Sequence, residues 1–139
     1  MTRENSPVMA EYTKLNIKRD VEDAAPKFGY SPWMESRFAR TPLGLQQSGF
    51  SYFKIAPDFR TPFGHSHGEQ EELYVVISGS VRLRLDGEEL ELGPLDAVRI
   101  PATMKRAVQG GPEGGELLAF GAPNTENKDV DVLPGWWGE

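Results

Sequence analysis

The only two histidines of the chain, His65 and His67, stand two positions apart. In an extended segment, positions i and i+2 point to one face of the strand. Both imidazoles can therefore converge on one point, which is the geometry a metal ion needs. Glu69, Glu71 and Glu72 follow within five residues and offer a carboxylate to the same centre. With both histidines in one cluster, no Ser-His-Asp set is available. Gly110 to Gly115 has no following helix to make it a phosphate cradle.

Holding such a pair in register requires strands, and the sequence reads as β. Eleven prolines and fifteen glycines in 139 residues favour frequent turns over long helices, and the length suits one domain. The clearest element is residues 81–92, where Asp86-Gly87 marks a two-residue hairpin, read as a type I′ turn with positive φ at both positions. That turn sets Arg84 opposite Glu89 and Arg82 opposite Glu91 on one face. Leu83 opposite Leu90 and Val81 opposite Leu92 fall on the other. Each cross-strand pair contributes about 0.2–1 kcal/mol.

Further strands are predicted at 12–17, 34–39, 50–55, 73–77 and 97–100, the fourth buried on both sides or lining a barrel. Residues 105–109 and 116–120 are predicted to form a hairpin around a 110–115 loop. Residues 1–10 read as a frayed end, 21–32 as loop with one helical turn, and 124–139 as a mostly polar tail. If the strand from Glu72 alternates, then Glu72, Tyr74 and Val76 share a face. Tyr52, Phe53 and Tyr74 are read as barrel filling. No amphipathic helix and no internal repeat is found.

The run His65-Ser66-His67-Gly68-Glu69-Gln70-Glu71-Glu72, continuing to Gly79, resembles the first motif of the cupin family: H-x-H, three or four residues, Glu, six residues, Gly. Glu72 satisfies both spacings, whereas Glu71 misses the glycine. The second motif should lie after the 81–92 hairpin, and there Asp96 and Pro101 fit. Leu95 and Thr103 replace its glycines, and Arg106 replaces its histidine. The resemblance covers about residues 48–121. It implies an all-β, double-stranded β-helix (jelly-roll) barrel with inward-pointing ligands. Residues 45–121 would form the barrel, 1–44 would supply strands and loops packing on it or on a dimer partner, and 122–139 would form a tail. It also implies a homodimer.

Two readings of the site follow. In one, His65, His67 and Glu72 hold one divalent transition metal; two histidines and a carboxylate suit Fe(II), and the same donors suit Mn, Ni or Zn. The chain would then be a dioxygenase- or isomerase-like enzyme acting on a small polar or anionic molecule, with Arg106 orienting the substrate and Tyr74 donating a hydrogen bond or proton. In the other, no metal binds. Arg106, which cannot ligate a metal, pairs with Glu72, and the barrel binds a small sugar or carboxylate. Trp136 and Trp137 pack either on the chain's own barrel or against a second subunit.

The formal net charge of −6 argues against nucleic-acid binding, which needs a concentrated basic surface. Without cysteine, disulfides and thiolate metal sites are excluded. No apolar run reaches the roughly 18 residues of a membrane span, and the first ten residues lack a signal-peptide pattern. The sequence-based expectation is a soluble, cytoplasmic protein.

Overall fold

The computed structural model describes residues 11–124 and 129–137; the predicted frayed end, residues 1–10, lies outside them. Eight strands follow in chain order: β1 (Met34–Phe38), β2 (Gly49–Ile55), β3 (Phe63–His67), β4 (Glu71–Leu85), β5 (Glu88–Leu92), β6 (Ala97–Ile100), β7 (Arg106–Ala122) and β8 (Val130–Pro134). Among the described residues, only single helical turns accompany them: α1 (Ile17–Asp20), a 3-10 turn (Ala25–Phe28) and α2 (Arg40–Leu43). Among the described residues no helix is long and apolar enough to cross a membrane.

Every strand pairing is antiparallel, and β4 and β7 form the spine. The first half of β4 pairs with β6 and with the second half of β7, whose other edge carries β2 and then β1. The second half of β4 pairs with β5 and with the first half of β7, whose other edge meets β3 and then β8. Two long bent strands thus run through both halves of an eight-stranded sheet, which rolls up as the expected jelly-roll barrel.

The predicted 105–120 hairpin is not formed. Both of its arms belong to β7 and pair with β4 rather than with each other. The glycine-rich segment is instead the corner where the two strands bend. Between the pairs Gly79↔Gly115 and Val81↔Gly110, residues 111–114 stand opposite Ser80 alone. A Cβ on Gly115 would come within 2.3 Å of the Ser80 carbonyl oxygen, and Gly79 and Gly114 have φ of +64° and +80°. Glycine is there because the backbones touch and turn left-handed.

The 81–92 hairpin has the predicted register, pair for pair. Its turn differs: Asp86 has positive φ and Gly87 does not, the pattern of a II′ turn. Both turn types use two residues, so the register is the same.

Strand 73–77 lines the barrel rather than lying buried on both sides. Tyr74 and Val76 are buried, whereas Leu73 and Ile77 are 39% and 41% exposed. The interior is built by Ile55, Tyr74, Val76, Val81, Leu83, Ile100, Val108 and Leu117, with Phe53 and Met104 against them. Each fully buried Leu, Ile or Val contributes about 1.5–3 kcal/mol.

Tyr52 is buried but does not fill the barrel. It pairs with Arg37 and Leu118, on the face opposite Phe53 and Ile55. There its hydroxyl donates to Glu116, and Lys18 stands over its ring.

The predicted strand at 12–17 is absent. Asn16 Oδ1 accepts from the backbone N–H groups of Lys18 and Arg19, so the polar side chain caps a helical turn where the alternation suggested extension. The strand predicted at 34–39 is β1.

Candidate functional site

β3 delivers His65 and His67 to the inner side, and β4 delivers Glu72 and Tyr74 beside them. Arg106 opens β7 directly opposite His65 in the β3–β7 pairing. Strand alternation, cross-strand register and the β3–β4 turn therefore bring together five sequence-predicted residues from three strands. Glu69 and Glu71, the other acids of the 65–72 run, are both exposed.

One carboxylate oxygen is the hub. Glu72 Oε1 lies 3.2 Å from His65 Nε2, 3.4 Å from His67 Nε2 and 3.5 Å from Arg106 Nη1. The Tyr74 hydroxyl donates to the same oxygen at 3.4 Å. Burial opposes ionisation of Glu72, but the close approach and charge of His65 and His67 outweigh it and hold its pKa at about 2. Burial and the adjacent Glu72 charge push the Tyr74 phenol well above its ordinary value, so it keeps its proton.

The Arg106 side chain is wholly enclosed. Its Nη2 donates to the Pro101 carbonyl at 2.7 Å, while Nε and Nη1 make no hydrogen bond. Pro101, one of the two residues that fit the second motif, thus anchors the arginine that replaces its histidine.

Sequence reasoning missed Asp129. Its Oδ1 stands 3.0 Å from His67 Nδ1, 62 positions away in the chain. Burial works against its charge, but the Glu69 N–H, His67 and the Gln70 N–H together lower its pKa to about 2. His67 responds in kind: burial disfavours its imidazolium, yet the carboxylates of Glu72 and Asp129 raise its pKa. Nothing local in the sequence marks Asp129, because only the β3–β8 pairing brings it here.

The donor set fits a divalent ion. The ligand atoms of His65, His67 and Glu72 lie within 4.8 Å of one another. His67 Nε2 is buried and has no hydrogen-bond partner among the described residues, a cost that a bound metal ion would remove. Arg106 occupies the place of a further ligand and contributes a positive charge instead.

Trp136 and Trp137 pack on the chain's own barrel. Trp137 Nε1 donates to the Thr61 carbonyl at 3.0 Å, and Arg84 Nη1 donates to the carbonyls of Trp136 and Trp137 at 3.2 and 2.8 Å. A groove of about 370 Å³ opens elsewhere, along Leu73, Arg99 and Phe120, and of the site residues it meets only Glu72.

The cupin-domain family model matches residues 51–118. Among curated proteins none matches. Among solved structures, a cupin protein from Bacteroides fragilis is 24% identical, the alignment covering 85% of this chain and 89% of that one at a TM-score of 0.68. The polyketide cyclase RemF from Streptomyces resistomycificus is also 24% identical, covering 88% and 84% at 0.68. A sugar phosphate isomerase of the cupin superfamily from Silicibacter pomeroyi is 18% identical, covering 88% and 92% at 0.66. At these identities the likeness is one of fold. The family match runs from β2 into β7 and encloses His65, His67, Glu72 and Arg106; the chain belongs to the cupin superfamily.

Proposed function

We propose that the chain is a metal-dependent cupin enzyme, dioxygenase- or isomerase-like, acting on a small polar or anionic molecule. His65, His67 and Glu72 would hold one divalent transition metal, of the Fe, Mn, Ni or Zn type. The observation that carries this reading is the convergence of three donor atoms within 4.8 Å, one of them a buried and unpartnered histidine nitrogen. When bound, such an ion supplies Lewis-acid polarisation of a substrate carbonyl or an open position for oxygen.

The chain's own groups do the rest. Glu72 is ionised throughout the physiological range and supplies the negative charge of the donor set. Tyr74 keeps its proton and donates it as a hydrogen bond to Glu72. Arg106 holds a permanent positive charge beside the centre, which favours a substrate carrying a carboxylate or phosphate. The apolar interior behind it, Val76, Leu83, Ile100 and Val108, limits water. The structural neighbours span a polyketide cyclase and a sugar phosphate isomerase, which supports a small-molecule substrate without choosing one. A homodimer belongs to this reading, supported by Leu73, Ile77 and Phe120 exposed on one sheet face.

The test is the metal content of tag-free protein by mass spectrometry, with a His65→Ala/His67→Ala variant as control. Near one equivalent, lost in the variant, is expected. A second reading, a metal-free barrel binding a sugar or carboxylate, is favoured by the Arg106–Glu72 approach of 3.5 Å. Less than about a tenth of an equivalent after reconstitution, with stabilisation of the chelated protein by an anionic ligand, would select it.

A further inference from the structure

β8 pairs with β3 along the whole of that strand, from Phe63↔Pro134 to His67↔Val130. The residue before β8, Asp129, is thereby laid beside His67. Both of its carboxylate oxygens are committed: Oδ1 faces His67 Nδ1 at 3.0 Å, and Oδ2 accepts the N–H groups of Glu69 and Gln70 at 2.9 Å each. The Asp129 carbonyl accepts from the Gly68 N–H at 3.0 Å. At the other end the strap is fastened by Trp137 on Thr61 and by Arg84 on the two tryptophan carbonyls. Arg60 closes over the Trp137 ring at 4.7 Å. Asp129 is therefore a held group and not a surface acid free to wander.

An ionised carboxylate can only accept, so the nitrogen it faces carries the proton. In the neutral imidazole, proton on Nδ1 leaves the lone pair on Nε2. Nε2 is the atom that lies buried, without a hydrogen bond, 3.4 Å from Glu72 Oε1. The tautomer that Asp129 selects is the one that presents a ligand nitrogen to the centre.

We propose that Asp129, delivered by the β8 strap, is a positioning residue for the metal site, fixing His67 as its Nδ1–H tautomer and aiming Nε2 at the ion. This rests on the reading of His65, His67 and Glu72 as metal ligands.

Asp129→Asn separates positioning from mere scaffolding. The asparagine oxygen can still accept from the Glu69 and Gln70 N–H groups, while its NH₂ faces His67 and donates to Nδ1. The proton is then moved to Nε2, where it blocks ligation. Long-range proton–nitrogen NMR of histidine-labelled, chelated protein, at a pH where the ring is neutral, reads the tautomer without any metal. Expected is Nδ1–H in the wild type and Nε2–H in Asp129→Asn. In parallel, Zn(II) titration should show affinity falling about 10–100-fold in Asp129→Asn, with partial recovery in Asp129→Glu. The same tautomer in wild type and Asp129→Asn overturns the assignment of Asp129, whatever the metal does. A swapped tautomer with Zn(II) affinity within twofold overturns it as well. Wild-type protein that binds no metal overturns the ligand reading itself, and the tautomer swap then still decides whether Asp129 sets the ring.

Discussion

The Arg106 guanidinium, wholly buried, stands 3.5 Å from Glu72 Oε1, the same oxygen that His65 and His67 approach. A fixed cation has been built into the position where the cupin motif would place a third histidine. It neutralises the carboxylate in the metal-free protein, and it would oppose a dication bound there. At an effective dielectric near 20 and a separation of a few ångströms, that opposition is on the order of several kcal/mol.

Arg106→His should therefore tighten metal binding, by tenfold or more, because it removes the opposing charge and adds a ligand. Isothermal titration with Zn(II) or Mn(II) measures this. Unchanged or weaker affinity in a variant with wild-type circular dichroism would show that Arg106 does not face the ion.

The metal-free protein should be most stable on the mildly acid side of neutrality. Glu72 is held at about 2 against a reference of 4.5, so its contribution is complete above 4.5 and is lost as pH falls from there towards 2. Asp129, depressed to about 2 from 3.8, acts with the same sign. His67 is raised above 6.5, so its contribution is complete below 6.5 and is lost as pH rises through its folded value. Melting temperatures of chelated protein across pH should trace this two-sided curve. Glu72→Gln should flatten the acid limb, and an acid limb as steep as in the wild type would contradict the assignment.

Tyr74→Phe should cost about 1 kcal/mol in chelated protein, the usual net worth of one hydrogen bond. The cavity shape is kept and only the donor to Glu72 is removed. Denaturant unfolding decides the matter; no change would mean that the hydroxyl contributes nothing in the folded state.

The glycine corner should be intolerant where the backbones touch. Gly115→Ala would drive a methyl group to 2.3 Å from the Ser80 carbonyl oxygen, and a Cβ on Gly87 would meet nothing within 4 Å. Gly115→Ala is expected to lower stability by about 3 kcal/mol or more, and Gly87→Ala by about 1 kcal/mol or less. Equal melting temperatures for the two variants would refute the corner.

Much of this protein is legible in its sequence through local rules. The 81–92 hairpin follows from Asp86-Gly87 and from charged and apolar pairs that agree on one register, because turn length and side-chain pairing are both short-range. The co-facial arrangement of Glu72, Tyr74 and Val76 follows from the two-residue period of a strand. The convergence of His65 and His67 follows from the same period, and the spacing to Glu72 and Gly79 carries the family.

What the sequence could not determine depended on which strand lies beside which. Gly110 to Gly115 reads locally as a hairpin loop, and only pairing with β4 on both sides makes it a corner in one long strand. Asn16 ended the extension expected at 12–17 through its own side chain. Tyr52 and Phe53 both read as barrel filling, yet strand alternation puts the two on opposite faces, and Tyr52 lies on the outer one with Lys18 and Glu116. Asp129 had no sequence neighbour to announce it, since its role arises from β8 pairing with β3 across the 62 positions that separate it from His67. Short-range geometry wrote the histidine pair, the hairpin and the motif into the sequence; the partner that orients one of those histidines was decided by long-range strand pairing, whose hydrogen bonds are made by a backbone common to every residue.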